Sequence, residues 1–153
     1  DDQEWEVDFP DYGRTFPHPY GKADGQYFTT LLTLSPAGDE IVLDFARDLM
    51  TSEKIGMDDV TDYLSISFSS TDYVGHFFGP SSLEAEDNLH RLDRTLAELL
   101  EFVDKTVGLD KTLIVLSADH GGSEAPGYLN SLGLGGSYFN FDDVDKTAGI
   151  AAL

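Results

Sequence analysis

Two pairs of residues in this chain, each an aspartate with a histidine, have the side-chain types and spacing needed to bind a metal ion. Asp72 and His76 lie four residues apart, and Asp119 and His120 are adjacent. Carboxylate oxygen and imidazole nitrogen form a suitable ligand set for zinc without any thiolate. Either pair alone is a common chance arrangement. The case for a metal site therefore depends on whether the fold brings the two pairs together.

The residues around the pairs predict a strand, a helix and a second strand. Residues 62–68 place apolar side chains among serines, which favours a strand, and 113–118 are apolar apart from Ser117, which favours a buried parallel strand. Between them, Leu89 to Val107 carry leucine and valine at helical spacing and predict a helix of roughly seven turns. The stretch SSLE predicts a capping box in which Ser81 caps this helix and Glu84 reaches back.

This order of elements predicts where the two pairs lie. A right-handed crossover makes the two strands parallel, so both carboxyl ends reach the same edge of the sheet, where ligands bind in open α/β proteins. The first pair follows the first strand on a short loop, 69–80, bent by glycine. The second pair follows the second strand, where Gly121 and Gly122 permit a sharp turn. We therefore expect all four side chains at one rim.

The domain organisation follows from the same pattern. We expect an α/β fold with a parallel-rich central sheet flanked by helices, and a single partial domain over 1–153. Residues 1–38 are rich in proline, glycine and aromatics and predict an irregular segment, with a possible short strand in TTLLTLS. Residues 39–122 form the α/β core with both motifs, beginning with a helix after SPAGDE. Residues 123–153 are glycine-rich and end in an apolar run typical of a truncated element.

The charge of the chain limits its partners. There are 29 acidic and 9 basic residues, a formal net charge of −20, and no basic stripe. Nucleic acid is therefore a poor partner, and an anionic substrate would be attracted locally through metal ions. No apolar run approaches the length of a membrane span, and no protein partner is evident. The absence of cysteine excludes disulfides, thiolate zinc sites and cysteine nucleophiles, and it suits an oxidising compartment.

The motifs resemble a known family. SSTDYVGHFFGP, LHRLDRTLAELLEFVD and LIVLSADHGG, in this order and with a flanking FPHPYG, are similar to the alkaline phosphatase superfamily. Within it the chain resembles the bacterial periplasmic phosphate-insensitive alkaline phosphatases, relatives of the nucleotide pyrophosphatase/phosphodiesterases. The resemblance implies a small phosphate-ester substrate, two zinc ions, a covalent phospho-Ser/Thr intermediate and a periplasmic or secreted location. It implies that Asp72 and His76 hold one zinc, and Asp119 and His120 the other.

Part of the family pattern has no counterpart here. The family also uses an early aspartate, an upstream Ser/Thr nucleophile and a late histidine. The histidines of this chain are His18, His76, His90 and His120, so none follows the second motif. No upstream residue matches the nucleophile motif, and we assign no catalytic residue. We expect an internal fragment of a longer enzyme, with two ligands per zinc, weak zinc binding and little or no turnover by itself.

Two other interpretations remain open. The same superfamily chemistry also serves phosphodiesterases and nucleotide pyrophosphatases, and the residues that decide between monoesters and diesters lie near the nucleophile. A different class of function is a non-catalytic module with a degenerate metal site. A reading frame that extends upstream through the aspartate and nucleophile and downstream through a histidine would favour the enzyme.

Overall fold

The computed structural model describes residues 3–138. The ordered elements are helices: α1 (Phe28–Thr33), α2 (Pro36–Glu53), α3 (Ser70–Phe78), α4 (Leu83–Thr106) and α5 (Pro126–Ser131), with a 3₁₀ turn at Leu109–Lys111. Helix α4 packs against both α2 and α3, and α1 packs against α2. Within the described residues, no helix combines the length and apolar character needed to cross a bilayer.

The long helices begin and end where local chemistry requires. Pro36 opens α2, where its missing N–H has no intrahelical partner to lose. Ser82 caps α4, and its side chain accepts a hydrogen bond from the Ala85 N–H at 3.1 Å. Gly108 follows α4 with φ +98°, a conformation that disfavours any other residue. The expected helix near SPAGDE is present but begins at Pro36, within that stretch and not after it, and the helix expected at SSLE begins at Leu83.

The expected capping box is wrong by one residue. Ser82, not Ser81, is the cap, and the carboxylate of Glu84 does not reach back to it. Instead Glu84 Oε1 lies 2.7 Å from His18 Nε2, with both side chains buried. The His18 ring stacks on Tyr12, so this contact attaches the amino-terminal segment to α4.

The core forms where the amino-terminal segment meets α1, α3 and α4. Its apolar cluster consists of Tyr12, Leu31, Leu34, Val74, Phe78 and Ala85, with Phe9, Tyr27 and Phe77 packed against it. Most of the stretch TTLLTLS, expected as a possible short strand, lies in α1, with Leu34 as its C-cap, and Leu31 and Leu34 are buried at helical spacing. The segment 1–38 therefore contains a helix.

The expected parallel sheet is absent from residues 3–138. The stretches 62–68 and 113–118 have no assigned helix or strand, and no neighbouring strand pairs with them. A strand requires a partner for its backbone N–H and C=O groups, and no described segment supplies one. The apolar side chains of 113–116 are exposed, with Leu113 89% accessible, whereas in 62–68 Tyr63 is 90% accessible and Leu64, Ile66 and Phe68 are half-buried. The expected truncated element at the end of 123–153 lies outside the described residues, although α5 falls within that segment.

Candidate metal centre

Helix α3 brings the first pair together. Ser70, Val74 and Phe78 are buried at a spacing of four residues, so one face of the segment packs inward. Asp72 and His76 share the opposite, more exposed side, also four apart, with Asp72 Oδ1 3.1 Å from His76 Nε2. The expectation of a bent loop over 69–80 is therefore wrong, because the buried spacing organises a helix that Gly79 ends with φ +95°.

The second pair is seated on the residues that follow α3. A Cβ at Gly122 would lie 2.9 Å from Pro80 Cγ, and a Cβ at Gly79 would lie 3.3 Å from Ala125 Cβ. The hydroxyl of Ser81 donates to Glu124 Oε1 at 2.6 Å. Three contacts thus hold the chain around residue 120 beside the end of α3.

This packing places an imidazole from the second motif against the carboxylate of the first. His120 Nε2 lies 3.4 Å from Asp72 Oδ1, and the His76 and His120 ring centroids are 5.1 Å apart. One ligand atom from each of Asp72, His76 and His120 lies within 4.8 Å of the others. The expected meeting of the two motifs is present in the structure.

The orientation of His120 suits a metal ligand. Its Nδ1 lies 3.0 Å from the Gly121 carbonyl oxygen, to which a protonated Nδ1 donates. That bond directs the lone pair of Nε2 toward Asp72, as backbone carbonyls commonly do for ligating histidines. The same carbonyl, followed by the Asp119 carboxylate and then Asp72, raises the pKa of His120, while desolvation opposes the shift.

Asp119 lies beside this group of three donors. Its Oδ1 accepts from the His120 N–H at 3.0 Å, and its Oδ2 is 3.4 Å from His120 Nε2. Its side chain is 74% exposed, the most accessible of the four predicted ligands. Neither Gly121 nor Gly122 has a left-handed φ, so Gly122 is needed for its close approach to Pro80.

A buried polar network lies beneath α3, and sequence reasoning did not identify it. Asp39, 2% exposed, accepts from the Ser70 N–H at 2.9 Å and from both the N–H and hydroxyl of Thr71 at 3.2 and 3.0 Å. Asn88 on α4 donates to Thr71 Oγ1 at 2.8 Å. Burial raises the pKa of Asp39, although the hydrogen bonds from Ser70 and Thr71 oppose this.

The donor atoms fit a divalent cation. Imidazole nitrogen and carboxylate oxygen both bind zinc, and these three donors lie close enough together to take part in a metal centre. Their side chains are 38–58% exposed, so an ion can reach them from solvent. The other two histidines are elsewhere: His18 is buried against Glu84, and His90 is exposed on α4.

A separate cleft of about 260 Å³ lies between α2 and α4. None of the three donors lines it. Its Arg91 pairs with Glu40 at 3.3 Å and with Asp87 at 3.2 Å. The cleft is therefore not part of the candidate centre.

Comparison with known proteins gives consistent results. A family model described as type I phosphodiesterase / nucleotide pyrophosphatase matches residues 3–151. Alkaline phosphatase PhoV of Synechococcus elongatus is 40% identical over 122 residues, which cover 80% of this chain and 22% of PhoV. Alkaline phosphatase PafA of Elizabethkingia meningoseptica is 38% identical over 132 residues, which cover 86% of this chain and 24% of PafA.

The structural comparison agrees. The crystal structure of wild-type alkaline phosphatase PafA superimposes with a TM-score of 0.84 at 37% identity, covering 95% of this chain and 28% of that one. The described fold is therefore part of an alkaline-phosphatase-like fold. The chain spans about a quarter of the length of the curated relatives it matches.

Proposed function

Because the chain belongs to the type I phosphodiesterase / nucleotide pyrophosphatase family, we propose that the protein containing it is a zinc-dependent hydrolase of phosphate monoesters. The relationship to alkaline phosphatases expected from the two motifs is confirmed by the relatives at 38–40% identity. The observation that supports the activity most directly is the convergence of Asp72, His76 and His120 within 4.8 Å. Phosphoryl transfer needs positive charge placed at such a point.

Two zinc ions complete the proposal. Asp72 and His76 would hold one ion, and Asp119 and His120 the other. Bound zinc supplies Lewis-acid stabilisation of phosphoryl oxygens and lowers the pKa of an oxygen nucleophile. The residues of this chain would position the two ions. Asp72 Oδ1 lies within 3.4 Å of both imidazoles.

The nucleophile of the proposed reaction lies outside this chain. The family resemblance implies a Ser or Thr hydroxyl that forms a covalent phosphoenzyme, which water then cleaves. Thr71, adjacent to a proposed ligand, is unsuited to that role. Its hydroxyl donates a hydrogen bond to Asp39 and accepts one from Asn88, so it is held in the buried network beneath α3.

The exposed apolar segments agree with this incompleteness. We propose that 62–68 and 113–118 are strands of a parallel sheet whose other strands belong to the longer protein. We also propose that this protein acts in the periplasm or outside the cell. Fractionation of the native cells would test the location.

The test compares two histidines in the full-length protein. Zinc content by mass spectrometry and hydrolysis of p-nitrophenyl phosphate and bis-p-nitrophenyl phosphate are measured for wild type, His76→Gln and His90→Gln. His90 is exposed and makes no contact with the three donors, so it serves as the matched control. We expect loss of bound zinc and of monoester hydrolysis only in His76→Gln. Equal zinc content and activity in both variants would exclude the proposed centre.

The isolated chain provides a second test. With two protein ligands per ion it should bind zinc weakly and show little or no hydrolysis, because catalytic zinc sites use three. Zinc-dependent hydrolysis of p-nitrophenyl phosphate by the 153-residue polypeptide alone would contradict the assignment of the nucleophile to another part of the protein.

Diester hydrolysis is the principal alternative, and the description of the matching family favours it. Faster zinc-dependent hydrolysis of bis-p-nitrophenyl phosphate than of the monoester would support it. A full-length protein that binds zinc through these residues but hydrolyses neither substrate would instead be a non-catalytic module.

A further inference from the structure

Helix α3 carries two of the proposed ligands but does not cap itself. Its N-cap residue, Ser69, makes no side-chain hydrogen bond to the first turn. The N–H groups of Ser70 and Thr71 are instead bound by the two oxygens of Asp39, which comes from the first turn of α2. A carboxylate at this position also complements the positive end of the helix dipole.

The start of α2 packs closely against the start of α3. Gly38 precedes Asp39, and a Cβ there would collide with the hydroxyl of Ser70. Asn88, 1% exposed, holds Thr71 from the α4 side through a bond of 2.8 Å. Thr71 therefore joins α2, α3 and α4, and the next residue is Asp72.

We propose that Asp39 is a positioning residue for the metal centre: its carboxylate sets the placement of the first turn of α3, and thereby of Asp72 and His76 relative to His120. The inference rests on the proposed function, since it assumes that these residues bind metal. Asp39 itself contacts none of them. It acts through Ser70 and Thr71, whose backbone it binds.

An amide cannot replace this carboxylate. The Ser70 N–H donates to one oxygen of Asp39, and the N–H and hydroxyl of Thr71 donate to the other, so both oxygens must accept. In Asp39→Asn one position becomes an NH₂ group that faces a donor, and one side of the helix start loses its acceptor. The first turn must then shift or rotate, and the ligand atoms of α3 move with it.

The experiment measures metal binding in the full-length protein. Asp39→Asn is compared with Asp48→Asn, the same change at an exposed position of the same helix. Cobalt and zinc affinities are obtained by chelator competition, well below the unfolding temperature of each metal-free variant. The visible absorption of the cobalt form is recorded at saturation. We expect about tenfold weaker binding and an altered cobalt spectrum for Asp39→Asn alone, within the range for outer partners of metal ligands.

These readouts separate positioning from stability. A residue needed only for folding would lower the unfolding temperature and leave the affinity and the cobalt spectrum of the folded protein unchanged. That result would overturn the proposal. Wild-type protein that binds neither metal would refute the proposed function itself, which Asp39→Asn cannot do.

A second pair of variants keeps the proposal testable if Asp39→Asn does not fold. Thr71→Val preserves the shape of the side chain and removes the hydroxyl that links Asp39 and Asn88. Thr71→Ser restores that hydroxyl. We expect weaker metal binding in Thr71→Val and recovery in Thr71→Ser. Equal affinities in these two variants would show that the network does not position the ligands.

Discussion

Gly122 offers a sharp test of how the two motifs are held together. A methyl group at this position would lie 2.9 Å from Pro80 Cγ. Carbon atoms pack favourably at about 3.5–4.0 Å, so Gly122→Ala must separate the two segments by about 0.6 Å or more. Metal sites tolerate ligand distances within about 0.2 Å of their ordinary values. The substitution should therefore displace His120 from Asp72 and alter the spacing between the two proposed ions.

The neighbouring glycine provides the matched control. A Cβ at Gly121 meets nothing within 4 Å, and neither glycine has a positive φ. Both alanine substitutions reduce the entropy of the unfolded chain similarly, so this contribution cancels in the comparison. Only Gly122→Ala adds the collision, which we expect to cost about 1–3 kcal/mol of unfolding free energy.

The assay is zinc affinity by chelator competition, with thermal unfolding of the metal-free proteins measured in parallel. We expect Gly122→Ala to bind zinc at least tenfold more weakly than Gly121→Ala. Equal affinities would refute the reasoning, because they would mean that the contact with Pro80 does not determine where His120 lies. A stability loss without an affinity change would restrict the contact to a folding role.

Four further substitutions test the fold around the centre by chemical or thermal unfolding. Ser82→Ala should lower stability by about 0.5–2 kcal/mol through loss of the α4 cap, whereas Ser81→Ala should leave α4 helicity unchanged. Leu31→Ala, at a side chain 1% exposed, should cost about 2–5 kcal/mol. Burial raises the pKa of Tyr12, so its contribution is present below pH about 10 and is lost as pH rises further. Tyr12→Phe should reduce this alkaline destabilisation, at the cost of the bond to the Leu34 carbonyl.

The sequence predicted the candidate ligands and the meeting of the two motifs but not the means by which they meet. Ligand chemistry is carried by residue type, so Asp72, His76 and His120 are recognisable without a structure. Two glycines and a proline favour a loop over 69–80, but the helical spacing of Val74 and Phe78 prevails and the segment forms α3. That spacing was the signal that could have identified α3.

Asp39 shows a different limit. Its cap is supplied to α3 from α2, across 31 residues of sequence. An acidic residue in the first turn of a helix ordinarily serves its own dipole, so nothing local distinguishes a carboxylate that serves another helix. Such a role depends on the close approach of two helix starts, which Gly38 allows and which only tertiary packing creates.

The absence of a sheet from residues 3–138 has a related cause. The apolar composition of 62–68 and 113–118 indicates a tendency to be buried in a sheet. Burial also requires neighbouring strands, which composition does not reveal. The exposure of Tyr63 and Leu113 shows that this part of the protein cannot bury them itself.

The motifs nevertheless meet, because their meeting does not depend on pairing between those strands. The contacts of Gly79 with Ala125, Gly122 with Pro80 and Ser81 with Glu124 all lie beyond the ends of the extended segments. Helix α4 connects the two segments and also holds α3 through its packed face. The juxtaposition of Asp72 and His120 is thus produced by helix packing and close glycine contacts, and the proposed sheet is not needed to create it.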